Sequence, residues 1–172
     1  MNNAARTFLL LSVLALSACS FHLRGSRLSD VTFAFKSLYL KAPVETPFVA
    51  ELRRMLITNK INLAARSDQA DLVLDVVSEQ TTKQILSLSG AGRVQEYQLF
   101  YRVSLRAYDN NQTDWLPAEE ISLTRILPYD DAQVLAKAQE EAQLYQDMRS
   151  DAVGQAIRRL NRAKPLSAAP SE

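Results

Sequence analysis

The clearest secondary-structure signal in this chain is the stretch YQLFYRVSLRAY, residues 97–108. Apolar or aromatic side chains occupy every second position, and polar side chains fill most of the positions between them. The alternating apolar set is Tyr97, Leu99, Tyr101, Val103, Leu105 and Ala107. Because successive strand residues point to opposite faces of a sheet, this pattern predicts a long strand with one face on a core. The other face, which carries Arg102 and Arg106, is predicted to be solvated.

The segments on both sides of this stretch also alternate with a period of two. One strand is predicted from Asp71 to about Leu88, and another from Trp115 to Ile126. Their inward-facing residues are predicted to be Leu72, Leu74, Val76, Ile121 and Leu123. Turn-forming residues at 89–92 (SGAG) and 109–112 (DNNQ) separate the three strands. Because strands joined by tight turns run in opposite directions, we expect an antiparallel meander.

Two helices are predicted to flank this meander. Thr46 followed by Pro47 is typical of a helix start, and apolar residues then recur at helical spacing as far as Asn59-Lys60. Asp130, with Gln133 three residues later, resembles a capping box for a second helix that ends near Arg162. The apolar stripe of that helix is predicted to be Ala138, Ala142, Tyr145, Met148, Ala152, Ala156 or Ile157, and Leu160.

A short alternating segment, Ser37 to Lys41, precedes the first helix and completes the predicted order β-α-β-β-β-α. The fold class that follows is α+β: a two-layer sandwich in which a mostly antiparallel sheet is covered by two helices. We expect one such domain over residues 31–162. Residues 163–172 contain proline and small residues and are predicted to form a disordered tail.

The first residues of the chain resemble a secretory signal. Arg6 precedes a short apolar run, residues 8–16, which is too short to span a bilayer. The run ends in Leu-Ser-Ala-Cys, residues 16–19, which looks like a bacterial lipobox. We therefore predict a signal peptide over 1–18, a lipidated tether over 19–30, and acylation of Cys19, since several acyl chains make a stable membrane anchor. The alternative is an ordinary signal peptide that happens to end near a cysteine.

Composition and charge exclude several functional classes. The chain has 20 basic and 19 acidic residues, and loss of residues 1–18, whose only charged residue is Arg6, leaves 19 of each. This balance provides no electrostatic basis for binding nucleic acid. His22 is the only histidine and Cys19 the only cysteine, so neither a catalytic triad nor a metal centre is expected. We predict a protein that is not an enzyme and uses no cofactor.

Three motifs resemble the LptE family of lipopolysaccharide-assembly lipoproteins from Gram-negative bacteria. The first is SFHLRG, residues 20–25, directly after Cys19; the family usually has glycine where this chain has Ser20. The second is QEYQL, residues 95–99, and the third is LAK, residues 135–137. The order and spacing of the predicted elements also agree with the family, so the resemblance extends to about Arg162.

The resemblance implies a role, partners and a binding site. Family members resemble a plug inside a large outer-membrane β-barrel that delivers lipopolysaccharide to the outer leaflet. The expected partners are therefore that barrel, lipopolysaccharide, and the outer membrane through the lipid at Cys19. Lys137 matches the lysine of the family's LAK motif, and Arg93 lies where the family carries a basic loop residue, so both are implied to bind lipopolysaccharide. Ordinary solvated surface charges are the alternative for both.

Two other functions stay open at this point. An auxiliary lipoprotein of a phospholipid-trafficking transporter would share the lipobox, the small domain and the lack of catalytic residues. A lipid-anchored hydrolase would require a nucleophile and base, and the sequence offers no such pair. Ser20 is not the aspartate that typically retains lipoproteins at the inner membrane, which favours the outer membrane.

Overall fold

The computed structural model describes residues 33–166, which form one five-stranded sheet with two helices. The strands are β1 (Ser37–Lys41), β2 (Asn62–Leu63), β3 (Leu72–Leu88), β4 (Val94–Tyr108) and β5 (Asp114–Pro128), and their spatial order is β2-β1-β3-β4-β5. The helices are α1 (Pro47–Thr58) and α2 (Val134–Arg162). The predicted α+β class and the order β-α-β-β-β-α of the main elements are confirmed, and the two-residue β2 adds a fifth strand between α1 and β3.

The three long strands form the predicted antiparallel meander. Val103 of β4 lies opposite Glu79 of β3 and Ile121 of β5, so the inward faces of the three strands are in register. A bulge between Val76 and Ser78 places the extra residue Val77 on the surface, with its side chain 52% exposed.

The parallel part of the sheet comes from β1 and β2. β1 pairs in parallel with both β2 and β3, and α1 connects β1 to β2. The Thr46 hydroxyl accepts a hydrogen bond from the Val49 amide at 3.3 Å, which confirms the predicted cap of α1. The Asp71 carboxylate accepts the amides of Lys36 and Ser37 at 2.8 and 2.9 Å, and these bonds lower its pKa. These hydrogen bonds link the start of β1 to the residue that precedes β3.

The core lies between the sheet and the two helices. The inward residues predicted on the three long strands are buried, except for Tyr97 and Leu123, which are partly buried. Part of the core is covered by α1 through Phe48, Leu52 and Leu56, each of which is 0% exposed. The second half of α2 lies beside α1 and covers the rest of the core through Met148, Ala152, Val153, Ala156, Ile157 and Leu160.

The predicted stripe on α2 is wrong at its first two positions and correct from Tyr145 onward. Ala138 and Ala142 are exposed, and the side chains that turn inward there are Lys137, Glu141 and Tyr145. The reason is that the first half of α2 lies above the outer part of β3, whose inward face is polar rather than apolar. The Asp130 carboxylate caps a short 3-10 turn (Asp131–Gln133) through the Ala132 amide, and α2 itself starts only at Val134.

Several predictions concern segments at the two ends of the chain. The predicted signal peptide, Cys19 and the tether over 19–30 lie outside the described residues. At the start of the segment predicted as a disordered tail, Ala163 is buried and the Leu166 amide donates to the Asp114 carbonyl at 2.9 Å. Within residues 33–166, neither helix combines the length and the apolarity that crossing a membrane requires.

Candidate functional site

The two basic residues implied to bind lipopolysaccharide lie at the same end of the domain. We call this end the tip and define it as residues 85–97 and 126–137. It is held together by the pairing of Glu96 with Pro128 and by a 2.8 Å hydrogen bond from the Tyr129 amide to the Gln95 carbonyl. The hairpin turn between β3 and β4 and the start of α2 are therefore neighbours, although many residues separate them in sequence.

Arg93 closes the hairpin turn at the far end of the sheet. The Ser89 amide donates to the Arg93 carbonyl at 2.7 Å, and the Arg93 amide donates to the Ser89 hydroxyl at 3.1 Å. Gly92 has a φ of +75°, a conformation that glycine adopts without steric cost. The Arg93 side chain is exposed and has no acidic partner within the described residues. A closed turn thus holds the backbone of Arg93 while its guanidinium faces solvent.

Replacing Gly92 by alanine is expected to destabilise this turn by about 1–2 kcal/mol, because a Cβ is disfavoured at positive φ. A Cβ at Gly92 would meet nothing within 4 Å, so the cost would come from the backbone alone. Gly90→Ala is the matched control, since its Cβ would also meet nothing and its φ is not in the left-handed region. The measurement is the urea midpoint of both variants. Equal midpoints would show that the turn does not require glycine at position 92.

Lys137 lies one turn into α2 and points toward the sheet. Its side chain is only 17% exposed, and its Nζ lies 2.8 Å from Glu140 Oε2. The predicted location near the start of the final helix is therefore confirmed, but the lysine is more enclosed than a solvated surface charge would be. Any anion that binds Lys137 has to compete with Glu140 for the ammonium group.

Lys83 is a third cation near the tip that the sequence reasoning missed. Its Nζ lies 2.6 Å from Glu141 Oε2 on α2 and 4.2 Å from the ring centroid of Tyr97. It pairs with Leu99 across β3 and β4, so it belongs to the inward face. Strict alternation from Leu72 would have placed Lys83 on the outward face, and the bulge at Val77 shifts the register by one residue and turns it inward.

Aromatic side chains brace the same region. Tyr97 packs edge-on against Tyr129 with ring centroids 5.1 Å apart, and the Tyr145 hydroxyl donates to the Thr82 carbonyl at 3.2 Å. Tyr101 is 2% exposed and donates to Glu79 Oε1 at 2.5 Å. Burial, together with the neighbouring Glu79 carboxylate, raises the pKa of the Tyr101 hydroxyl. These tyrosines are structural contacts, as the sequence suggested.

The face of the sheet opposite the helices is polar, and its charges are paired. Arg102 lies 3.8 Å from Glu120, and Arg106 lies 2.8 Å from Asp114. Their guanidinium groups also stack near the rings of Phe100 and Tyr108. We call this surface the open face.

The acidic side chains form neither an acid–base pair at Glu119 and Glu120 nor a metal-binding group within residues 33–166. Glu119 and Glu120 point to opposite faces, as expected, because their partners on β4 are the buried Leu105 and the outward Ser104. The Glu119 carboxylate forms a salt bridge with Arg159 of α2, with Oε2 and Nη1 3.1 Å apart. Within residues 33–166, no group of three or more His, Cys, Asp or Glu side chains is placed to hold a metal ion.

Comparisons with known proteins agree on one family. Residues 30–160 match the family model described as LptE, lipopolysaccharide-assembly. A solution structure of an uncharacterized lipoprotein B from Nitrosomonas europaea is 39% identical, with a TM-score of 0.68 over 74% of this chain and 83% of that one. A comparison with curated protein sequences gives no match.

Two crystal structures with lower sequence identity show the same fold. Rare lipoprotein B from Shewanella oneidensis is 24% identical, with a TM-score of 0.64 over 71% of this chain and 91% of that one. A minor lipoprotein from Acinetobacter baumannii is 23% identical, with a TM-score of 0.65 over 80% of this chain and 100% of that one.

Proposed function

This chain belongs to the LptE lipopolysaccharide-assembly family of lipoproteins, and we propose that it is a non-catalytic subunit of the outer-membrane lipopolysaccharide translocon. In this role it supports a large β-barrel from within, contacts lipopolysaccharide, and is anchored to the outer membrane through Cys19. The observation that supports the proposal is that Arg93 and Lys137 lie toward the same end of the domain. Arg93 lies two residues before the family-like motif at 95–99, and Lys137 lies within the family-like motif at 135–137.

The chemistry of the tip suits the phosphates of a glycolipid. Arg93 is exposed, and its planar guanidinium can donate two hydrogen bonds to one phosphate. Lys137 is pre-positioned by its partial burial, and a phosphate would replace Glu140 as its partner. The amino-terminal end of α2 adds a favourable field for an anion, worth about 0.3–1 kcal/mol. With equal numbers of acidic and basic residues in the mature chain, such a local cluster is required to hold a polyanion.

The open face suits the inner wall of a barrel. The lumen of a large outer-membrane barrel is polar, so a domain placed inside it needs a polar exterior with balanced charge. The open face carries Arg102 and Arg106, each beside a carboxylate, which leaves little net charge there. Such a surface fits a polar wall better than it fits an anionic lipid head group.

Charge reversal at both basic residues tests the contact with lipopolysaccharide. We expect Arg93→Glu with Lys137→Glu to raise the apparent Kd for lipopolysaccharide by at least about tenfold, since two charge-assisted contacts become repulsive. Binding to the wild type should weaken as salt is added, because exposed charges are screened beyond about 8 Å at physiological salt. The measurement is a titration of the full-length lipoprotein at low and high salt.

The matched control is Arg54→Glu with Lys164→Glu, which reverses two exposed charges away from the tip. This control should bind lipopolysaccharide as the wild type does. Both double variants should still co-purify with a large β-barrel from detergent-solubilised outer membranes. Unchanged binding by the tip variant would make Arg93 and Lys137 ordinary surface charges and the protein a structural plug. Recovery of an inner-membrane transporter in place of the barrel would favour the phospholipid-trafficking role.

A further inference from the structure

The sheet has an unpaired edge where β1 ends. Lys41, the last residue of β1, pairs with Asp75, whereas β3 continues to Leu88. Within residues 33–166, no other strand pairs with this side of β3 beyond Asp75. Natural sheets usually protect such edges, because an unpaired strand backbone is a template for pairing with another chain. The unpaired edge of β3 is therefore a candidate surface for a protein partner.

A groove lies beside the first residues of this edge. Two cavities of about 270 and 260 Å³ adjoin there, since Pro43 and Val76 line both of them. We call the two cavities together the edge groove, which lies between residues 41–46 and residues 75–79. Val44 and Val77 belong to its lining and are 65% and 52% exposed. The edge groove thus presents exposed aliphatic side chains directly beside unpaired strand backbone.

One carboxylate oxygen at the edge groove has no hydrogen-bond donor. Glu79 lines the groove, and its Oε1 accepts the Tyr101 hydroxyl. Its Oε2 is shielded from solvent and has no hydrogen-bond partner within the described residues. A buried polar atom without a partner lowers stability, most of all when the group is charged. A donor entering the edge groove would remove this cost, so the groove favours a partner with a cationic side chain.

The other charged side chains near the edge groove are paired with one another. The pairs are Lys41 with Asp75 at 2.7 Å, Arg53 with Glu45 at 3.0 Å, and Arg149 with Glu51 at 3.4 Å. Glu79 has no cation of this kind among the described residues. The edge groove therefore carries one uncompensated negative charge, and a partner is the source from which a cation can come.

We propose that an extended segment of the barrel partner adds to the unpaired edge of β3 as a further strand. In this mode of recognition, main-chain hydrogen bonds provide affinity and alternate side chains provide specificity. Aliphatic side chains of the segment cover Val44 and Val77, and a lysine or arginine faces Glu79. This inference rests on the proposed function for the identity of the partner, and it adds a contact separate from the tip.

The chemistry of the edge groove disfavours other occupants. An anionic glycolipid would be repelled by the Glu79 carboxylate. A second copy of this chain, added strand to strand, would bring Lys83 as the cation of its own edge, yet Lys83 is held by Glu141 at 2.6 Å. A barrel that encloses the domain surrounds this edge with its own chain, and outer-membrane barrels can carry loops within the lumen. An extended barrel segment is thus the occupant that fits best.

Photo-crosslinking tests which molecule lies in the edge groove. A phenylalanine analogue with a benzophenone group replaces Val44 in the full-length lipoprotein. In the matched control it replaces Ile57, which is 59% exposed on α1. Both proteins are irradiated in intact cells, and the cross-linked peptides are identified by mass spectrometry. We expect position 44 to cross-link to a peptide of a large β-barrel that contains a lysine or arginine, and position 57 not to capture that peptide.

A competition experiment measures the strength of the contact. The groove variant is Val44→Lys with Val77→Lys, because charged side chains on an edge oppose strand addition and repel the basic side chain of the partner. The control variant, Ile57→Lys with Leu166→Lys, adds the same charge at exposed aliphatic positions outside the groove (59% and 50% exposed). Each variant is produced together with an equal amount of wild type that carries a different tag.

We expect the groove variant to be depleted at least about tenfold relative to the wild type in the purified barrel complex, which is the scale set by burying one aliphatic side chain. The control variant should be recovered in equal amounts with the wild type. Because the replaced side chains are exposed, the melting temperature should not change. If it falls, Val44→Lys alone, at the more exposed position, repeats the comparison.

Two results would overturn the inference and leave the proposed function intact. Equal recovery of the groove variant and the wild type in the barrel complex would show that the edge of β3 takes no part in the contact. A cross-link from position 44 to a second copy of this chain, or to lipopolysaccharide, would assign the edge groove to that molecule. If the wild type is recovered without any large β-barrel, the proposed function fails and the inference fails with it.

Discussion

Replacing Leu105 by alanine is expected to remove about 2–5 kcal/mol from the free energy of unfolding, the range observed for large-to-small substitutions in packed cores. Leu105 is 0% exposed and lies on the interior strand β4, opposite Val76 of β3 and Glu119 of β5. Its side chain lies between the sheet and the helices. The neighbouring strands β3 and β5 are held by the sheet, so they can move little to fill the cavity that alanine would leave. Since small domains are stable by only about 5–15 kcal/mol, this one change removes a large fraction of the total.

The measurement is a urea titration of a soluble form that begins at Ser20, compared with Val77→Ala. Val77 sits at the bulge with its side chain 52% exposed, so the control should lose less than about 1 kcal/mol. The dependence of the free energy on urea should keep its slope in both variants, which would show that only stability has changed. An unchanged midpoint for Leu105→Ala would mean that the inward face of β4 is not the core.

Replacing Cys19 by alanine is expected to abolish acylation completely. Without a thiol at position 19, no acyl chain can be attached there, and the lipobox-like LSAC at 16–19 lacks its cysteine. The variant should accumulate as a larger, unprocessed precursor.

Membrane fractionation and intact-mass measurement of the full-length protein test this expectation. Ser20→Ala is the matched control, since it changes the next residue, leaves the thiol, and introduces no aspartate. The control should be processed, acylated and recovered with the outer membrane. A wild-type protein that is uncleaved, or that fractionates with the inner membrane, would contradict both the lipidation and the location.

The sequence by itself determined the local structure. The alternation in residues 97–108 predicted β4 and its buried face correctly, because side-chain direction in a strand depends only on position in the chain. The cap at Thr46 and the proline after it predicted the start of α1 because both act on backbone groups within the same turn. The lipobox-like sequence ending in Cys19 is likewise a linear signal, which is why it supports a prediction about residues outside the described structure.

Only the tertiary structure decided which residues meet across the sequence. Alanine spacing placed Ala138 and Ala142 on the buried side of α2, yet the helix turns Lys137 and Glu141 inward because the strand beneath them carries Lys83. A helical period reports which residues share a face, and the surface beneath the helix selects the face that is buried. The same holds for the tip: Arg93 and Lys137 lie at one end of the domain because the Tyr129 amide bonds to the Gln95 carbonyl and Glu96 pairs with Pro128.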